Sequence, residues 1–140
     1  MKSQAKAIER LCDSSSKVSA HYFIKDNGKL LNLVPDLYEA WHAGKSSWKN
    51  LKALNKYSIG IEINNSGHDY GYPKFKKRQI STLKKLLKNL INKYKIRNRN
   101  ILGHSDIAPD RKKDPGEKFP WKNLANKDLS IWHKLKENKI

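Results

Sequence analysis

Between Leu102 and Trp121 the chain reads LGHSDIAPDRKKDPGEKFPW, which places His104 and Asp114 ten positions apart with Lys112 between them. An imidazole and a carboxylate on one segment are ligand types that bind Zn²⁺. Pro109, Pro115 and Gly116 exclude continuous helix or strand here, so the segment is a stiff loop able to place side chains in three dimensions. Two ligands do not complete a metal site. A cation at Lys112 would suit an oxyanion formed when water attacks a carbonyl, although one lysine carries little weight in so basic a chain.

Glu62 is the next chemical residue. It interrupts the apolar run SIGIEIN, and a carboxylate among Ile59, Ile61 and Ile63 is costly if buried without a partner. One reading is a half-exposed strand with Ser58, Gly60, Glu62 and Asn64 on its wet face. The other is a carboxylate aimed into a cleft, where it takes a proton from an attacking water. His21 and His42, beside Tyr22 and Trp41, could each be a ligand, a cleft wall or a core histidine; His68 and His133 are weaker candidates. Trp41, Trp48 and Trp121 fall in loops, where they could pack the core edge or stack on a sugar or peptide.

These residues need elements to hold them. Residues 3–12 read as a short helix with Ala7, Ile8, Leu11 and Cys12 on one face, Cys12 acting as a small buried hydrophobe. Residues 18–24 and 30–34 read as a β-hairpin around Asp26-Asn27-Gly28. Residues 57–64 form a further strand, and 65–74 a loop. The clearest helix spans about 76–94, where Ile80, Leu83, Leu87, Leu90, Ile91 and Tyr94 make an apolar stripe with lysines opposite. Residues 100–104 read as a short strand delivering His104, and 128–138 as a terminal helix. The order implies an α/β fold, a mixed sheet covered by helices, in a single domain over residues 1–140.

Composition narrows the function classes. Thirty Lys and Arg against 13 Asp and Glu give +17. That charge fits either a polyanionic partner or lysines that simply solvate every face. No helix-turn-helix, RNP motif or Cys-rich finger accompanies it, so a specific nucleic-acid partner is not expected. Mean hydropathy is −0.86, no apolar run reaches the roughly 20 residues of a membrane span, and MKSQAKAIERLCD lacks a signal-peptide core.

Four ordered motifs, VSAHYFI, LVPDLYEAWHAGKSSW, LNKYSIGIEINN and GHSDIAPDRKKDPGEKFPW, resemble the zinc-dependent N-acetylmuramoyl-L-alanine amidases of the amidase-2 family. This family is related to phage lysozyme-type amidases and peptidoglycan recognition proteins, and the likeness is greatest to its AmiD-like and AmpD-like branches. It spans about residues 5–124. The resemblance implies Zn²⁺ as cofactor, His104 and Asp114 as two of three metal ligands, and Glu62 and Lys112 as catalytic residues. It also implies a substrate cleft lined by Tyr22, Trp41, His42, Ala43 and Gly44. The implied substrate is peptidoglycan or soluble muropeptides, cut between N-acetylmuramic acid and L-alanine; a peptidoglycan-binding module without catalysis is the alternative.

One departure stands out. The family's first ligand is a His at the end of a strand upstream of the first helix, and no residue here matches it. The resemblance therefore implies a domain truncated at its N-terminus, a sheet lacking its first strand, and weak zinc binding and activity in this form. The AmiD-like spacing after Met1 points to the cell envelope, the AmpD-like branch being cytoplasmic.

Overall fold

A computed structural model describes residues 3–133. Helix α1 (Gln4–Cys12) leads into a hairpin of β1 (Tyr22–Ile24) and β2 (Leu30–Asn32), then a small ribbon of β3 (Ser47–Trp48) and β4 (Leu51–Lys52). Strand β5 (Ile61–Ile63), helix α2 (Lys77–Tyr94) and two short helices, α3 (His104–Ile107) and α4 (Trp121–Ala125), follow.

The hairpin forms where the turn chemistry puts it. Gly28 sits at φ +85°, and a Cβ there would lie 2.9 Å from the Arg78 carbonyl oxygen, so glycine is required twice over. The main sheet has the order β2-β1-β5, with β1 antiparallel to β2 and parallel to β5. It is the mixed sheet expected, flanked by helices.

Side chains alternate across a strand, and this sorts the sheet into two faces. Ile24 and the flanking Ile61 and Ile63 pack with Leu83 and Leu87 of α2, joined by Phe119, Leu124 and Leu129. Phe23 pairs in register with Glu62, so both point to the opposite face. Gln79, almost fully buried, locks α2 to the sheet. Its Nε2 donates to the Asn64 carbonyl at 2.8 Å, while its Oε1 accepts the Lys76 N–H at 3.1 Å.

Three expectations are corrected. Residues 100–104 are not a strand: a 3-10 turn covers Asn98–Asn100, and His104 opens α3, because the Gly103 N–H is capped by Asp106 Oδ2 at 2.7 Å. Cys12 is exposed; it follows Leu11 past the half-buried stripe of Ala7, Ile8 and Leu11. Helix α4 lies before the expected terminal helix, and residues 128–133 are non-helical; the rest of that expectation falls outside the described residues.

Candidate active site

The Leu102–Trp121 segment is held on two sides. The Ser105 N–H donates to the Asp114 carbonyl at 2.9 Å, tying the loop to the start of α3. Opposite, the buried Tyr72 donates its hydroxyl to the Pro115 carbonyl and accepts the Lys118 N–H, both at 2.8 Å. The result brings His104 Nδ1 to 3.2 Å from Asp114 Oδ2.

The other ring nitrogen decides what this contact means. His104 Nε2 lies 3.1 Å from the Ala43 carbonyl oxygen, which can only accept, so Nε2 carries a hydrogen. In the neutral ring Nδ1 is then a lone pair facing a carboxylate oxygen, and two acceptors that meet need a cation between them. A proton on Nδ1 satisfies this; so does a metal ion. A backbone carbonyl orienting the far nitrogen is the usual support of a ligating histidine. The donor pair therefore fits zinc, with His104 Nδ1 and the Asp114 carboxylate as the residues that would hold it. No group of three His, Cys, Asp or Glu suited to a metal is found among the described residues.

Glu62 joins this neighbourhood from β5. Its side chain is exposed, so it faces away from the dry core. The protein around it still strips hydration from the carboxylate. This desolvation and the Asp114 charge raise its pKa, against the opposing pull of His104 and Lys112. At Asp114 desolvation also pushes upward, but the His104 hydrogen bond and charge, with Lys112, outweigh it and hold the carboxyl below its ordinary value.

The segment 41–44 forms the adjoining wall. Trp41 is anchored through its backbone to Ser19, by N–H to Oγ at 2.7 Å and by its carbonyl at 2.9 Å, and leaves its ring 46% exposed. His42 Nδ1 donates to the Ala40 carbonyl at 3.0 Å, and Nε2 lies 2.8 Å from the Ser58 hydroxyl. Burial holds this ring neutral, with its pKa lowered to about 4. A Cβ on Gly60 would come within 2.4 Å of the His42 ring, so the strand passes too close for any side chain there.

His21 resolves as a core residue. It is fully buried, accepts the Gly60 N–H on Nδ1 at 3.1 Å and donates from Nε2 to the Tyr38 carbonyl at 2.7 Å. Tyr22 is not brought to the cluster. Alternation turns it to the α2 face, where its hydroxyl donates to Asp36, which also accepts from Tyr94 at 2.7 Å. His68 pairs with Glu117 at 3.0 Å.

Sequence reasoning missed Asn55, Arg111 and Asp36. Asn55 Oδ1 accepts the N–H groups of His42, Ala43 and Gly44 at 3.1, 2.7 and 3.3 Å. Arg111 Nη2 donates to the carbonyls of Ala43 and Lys45, both at 2.7 Å. Neither has a local signal, since their partners lie 11–13 and 66–68 positions away.

The profile of the Amidase_2 family, described as N-acetylmuramoyl-L-alanine amidase, matches residues 1–117. The chain belongs to the Amidase_2 family. Members of the Amidase_2 family are generally zinc-dependent. The chain is 40% identical over 131 residues to "N-acetylmuramoyl-L-alanine amidase AmiD" of Escherichia coli K12, covering 85% of this chain and 48% of the relative. It is 40% identical over 106 residues to "1,6-anhydro-N-acetylmuramyl-L-alanine amidase AmpD" of the same strain, covering 75% of this chain and 55% of the relative. The chain thus spans about half the length of these relatives.

Solved structures of the Amidase_2 fold agree. AmpDh3 from Pseudomonas aeruginosa superposes with a TM-score of 0.87 at 37% identity, over 93% of this chain and 57% of that one. AmiD from E. coli, in complex with anhydro-N-acetylmuramic acid-L-Ala-D-gamma-Glu-L-Lys, gives 0.83 at 38% identity over 91% and 54%. Among the described residues no helix is long and apolar enough to cross a membrane.

Proposed function

We propose that this chain hydrolyses the amide between the lactyl group of N-acetylmuramic acid and L-alanine in peptidoglycan or soluble muropeptides. The observation that carries the reading is the 3.2 Å contact of His104 Nδ1 with Asp114 Oδ2, a pair that lies within electrostatic reach of Glu62, from a distant segment, and of Lys112. The muropeptide bound in the AmiD structure supports the substrate class.

When bound, zinc polarises the scissile carbonyl and lowers the pKa of water. The chain's own residues account for the rest. Glu62 takes a proton from the attacking water, and the desolvation that raises its pKa improves it as a base. As the carbon–nitrogen bond breaks, the same carboxyl returns that proton to the leaving amine of L-alanine. The Lys112 ammonium stabilises the oxyanion, a contribution of about 3–4 kcal/mol where such a donor is essential. Trp41 offers an exposed ring face to a sugar or stem peptide.

The test is release of free stem peptide from a muropeptide, followed by mass spectrometry with and without a chelator. Chelator-sensitive release that vanishes in Glu62→Gln supports the amidase. A second reading, a peptidoglycan-binding module, is favoured by the two-donor grouping among the described residues. Retention on insoluble murein without release would select it. Two donors are expected to hold zinc weakly, with less than one equivalent retained after dialysis; a tightly held equivalent would overturn that expectation.

A further inference from the structure

We infer that Asn55 is the positioning residue of this site, acting through the Ala43 peptide to fix the ring of His104. The inference rests on the reading of His104 as a zinc donor. Ala43 is 1% exposed, so water is excluded from its peptide groups and protein must satisfy them. The Ala43 N–H, with those of His42 and Gly44, converges on Asn55 Oδ1, at 2.7 Å for the Ala43 bond. Its carbonyl faces the other way and accepts from His104 Nε2 at 3.1 Å and Arg111 Nη2 at 2.7 Å.

The consequence is geometric. One side-chain oxygen holding three successive amides fixes the plane of the 42–44 peptides, so the direction of the Ala43 carbonyl follows. That direction demands a hydrogen on Nε2 and leaves Nδ1 toward Asp114, 3.2 Å away. Arg111 bridges the same carbonyl to that of Lys45, tying the segment that bears Lys112 to the same peptide. Only an acceptor is needed at position 55. Aspartate should therefore replace Asn55, and an apolar residue should not.

The experiment compares the chain with Asn55→Asp, Asn55→Leu and Asn55→Ser, using two readouts. Amide hydrogen exchange of residues 42–44 should rise at least tenfold in Asn55→Leu and stay within about threefold of the parent in Asn55→Asp. Zinc affinity, by competition with a chromophoric chelator, should fall 10–100-fold in Asn55→Leu, the usual cost of losing an outer partner of a ligating histidine, and hold in Asn55→Asp. If Asn55→Leu fails to fold, Asn55→Ser decides, since its shorter hydroxyl cannot span three amides and should show both losses. Unchanged exchange in Asn55→Leu or Asn55→Ser, or equal losses in Asn55→Asp, would overturn the inference. A parent chain that binds no zinc would sink the metal reading alone, leaving the exchange arm to judge Asn55.

Discussion

Asp36 offers the sharpest test of how the cleft segment is attached to the rest of the fold. Its carboxylate is only 13% exposed, accepts from the hydroxyls of Tyr22 and Tyr94, and lies 3.8 Å from the Lys93 ammonium. It thereby pins the loop after β2 to both β1 and the last turn of α2. Hydrogen bonds to a charged group are worth about 1.5–3 kcal/mol each, while Lys93, 67% exposed, adds less than about 1 kcal/mol. Partial rehydration of the two freed hydroxyls returns some of this, so Asp36→Ala should cost roughly 2–4 kcal/mol in total. For 140 residues the entropy of unfolding converts each kcal/mol into about 3 °C, giving a fall in Tm of roughly 6–12 °C. The pH dependence adds a second signature. Desolvation pushes the Asp36 carboxyl up, but Tyr22, Tyr94 and Lys93 more than offset it, leaving its pKa below the ordinary 3.8. A group depressed in the fold contributes its stability above the unfolded value and loses it as pH falls through the folded one. Thermal melts of parent and Asp36→Asn should thus differ at pH 7 and converge as pH drops below about 3.8. A difference of under 1–2 °C at pH 7, or one that persists in acid, would refute the clamp.

Glu62→Gln should lower muropeptide hydrolysis by about 10²–10⁴-fold while raising Tm slightly. The carboxyl's raised folded pKa means its charged form costs stability at neutral pH; a lowered Tm would contradict this. Lys112→Met should reduce kcat by about 10²–10³-fold with little change in KM, and a change confined to KM would assign it to ground-state binding. His42, neutral in the fold down to about pH 4 against an ordinary 6.5, contributes stability that is complete above 6.5 and lost as pH falls toward 4. His42→Gln should flatten the melting profile in that window, and an unaltered profile would argue against its burial. Helix α2 carries Lys77, Arg78, Lys84, Lys85, Lys88 and Lys93 with no acidic residue. Changing Lys77, Arg78, Lys85 and Lys88 to Gln should lower the salt needed to elute the chain from a sulfated polysaccharide column; an unchanged elution point would mean that the face is only solvating.

Several features were legible because their causes are local. The stripe of Ile80, Leu83, Leu87, Leu90 and Ile91 has helical spacing, and α2 spans Lys77–Tyr94. Asp26-Asn27-Gly28 closes a hairpin because Gly28 alone adopts the required φ so close to Arg78. Prolines and Gly116 keep the stretch between α3 and α4, which bears Asp114, free of helix and strand, and the side chains of His104 and Asp114 do meet. Position 104 was less readable: the competition between strand and helix there is settled by Asp106 capping Gly103, a side-chain contact that apolar patterning does not register.

Residue order makes a histidine, two carboxylates and a lysine available at a spacing that no one helix or strand could hold. Which of them come near one another depends on strand register and on contacts between distant segments. Register pairs Glu62 with Phe23 and away from Tyr22, so one residue of the strand pair reaches the site and its neighbour is turned to Asp36. Nor does any local pattern mark Asn55 and Arg111, because a carbonyl such as that of Ala43 acquires its partners only when distant segments fold against it. Backbone groups are identical at every position of a chain; what distinguishes this one is the burial that forces it to be satisfied by protein.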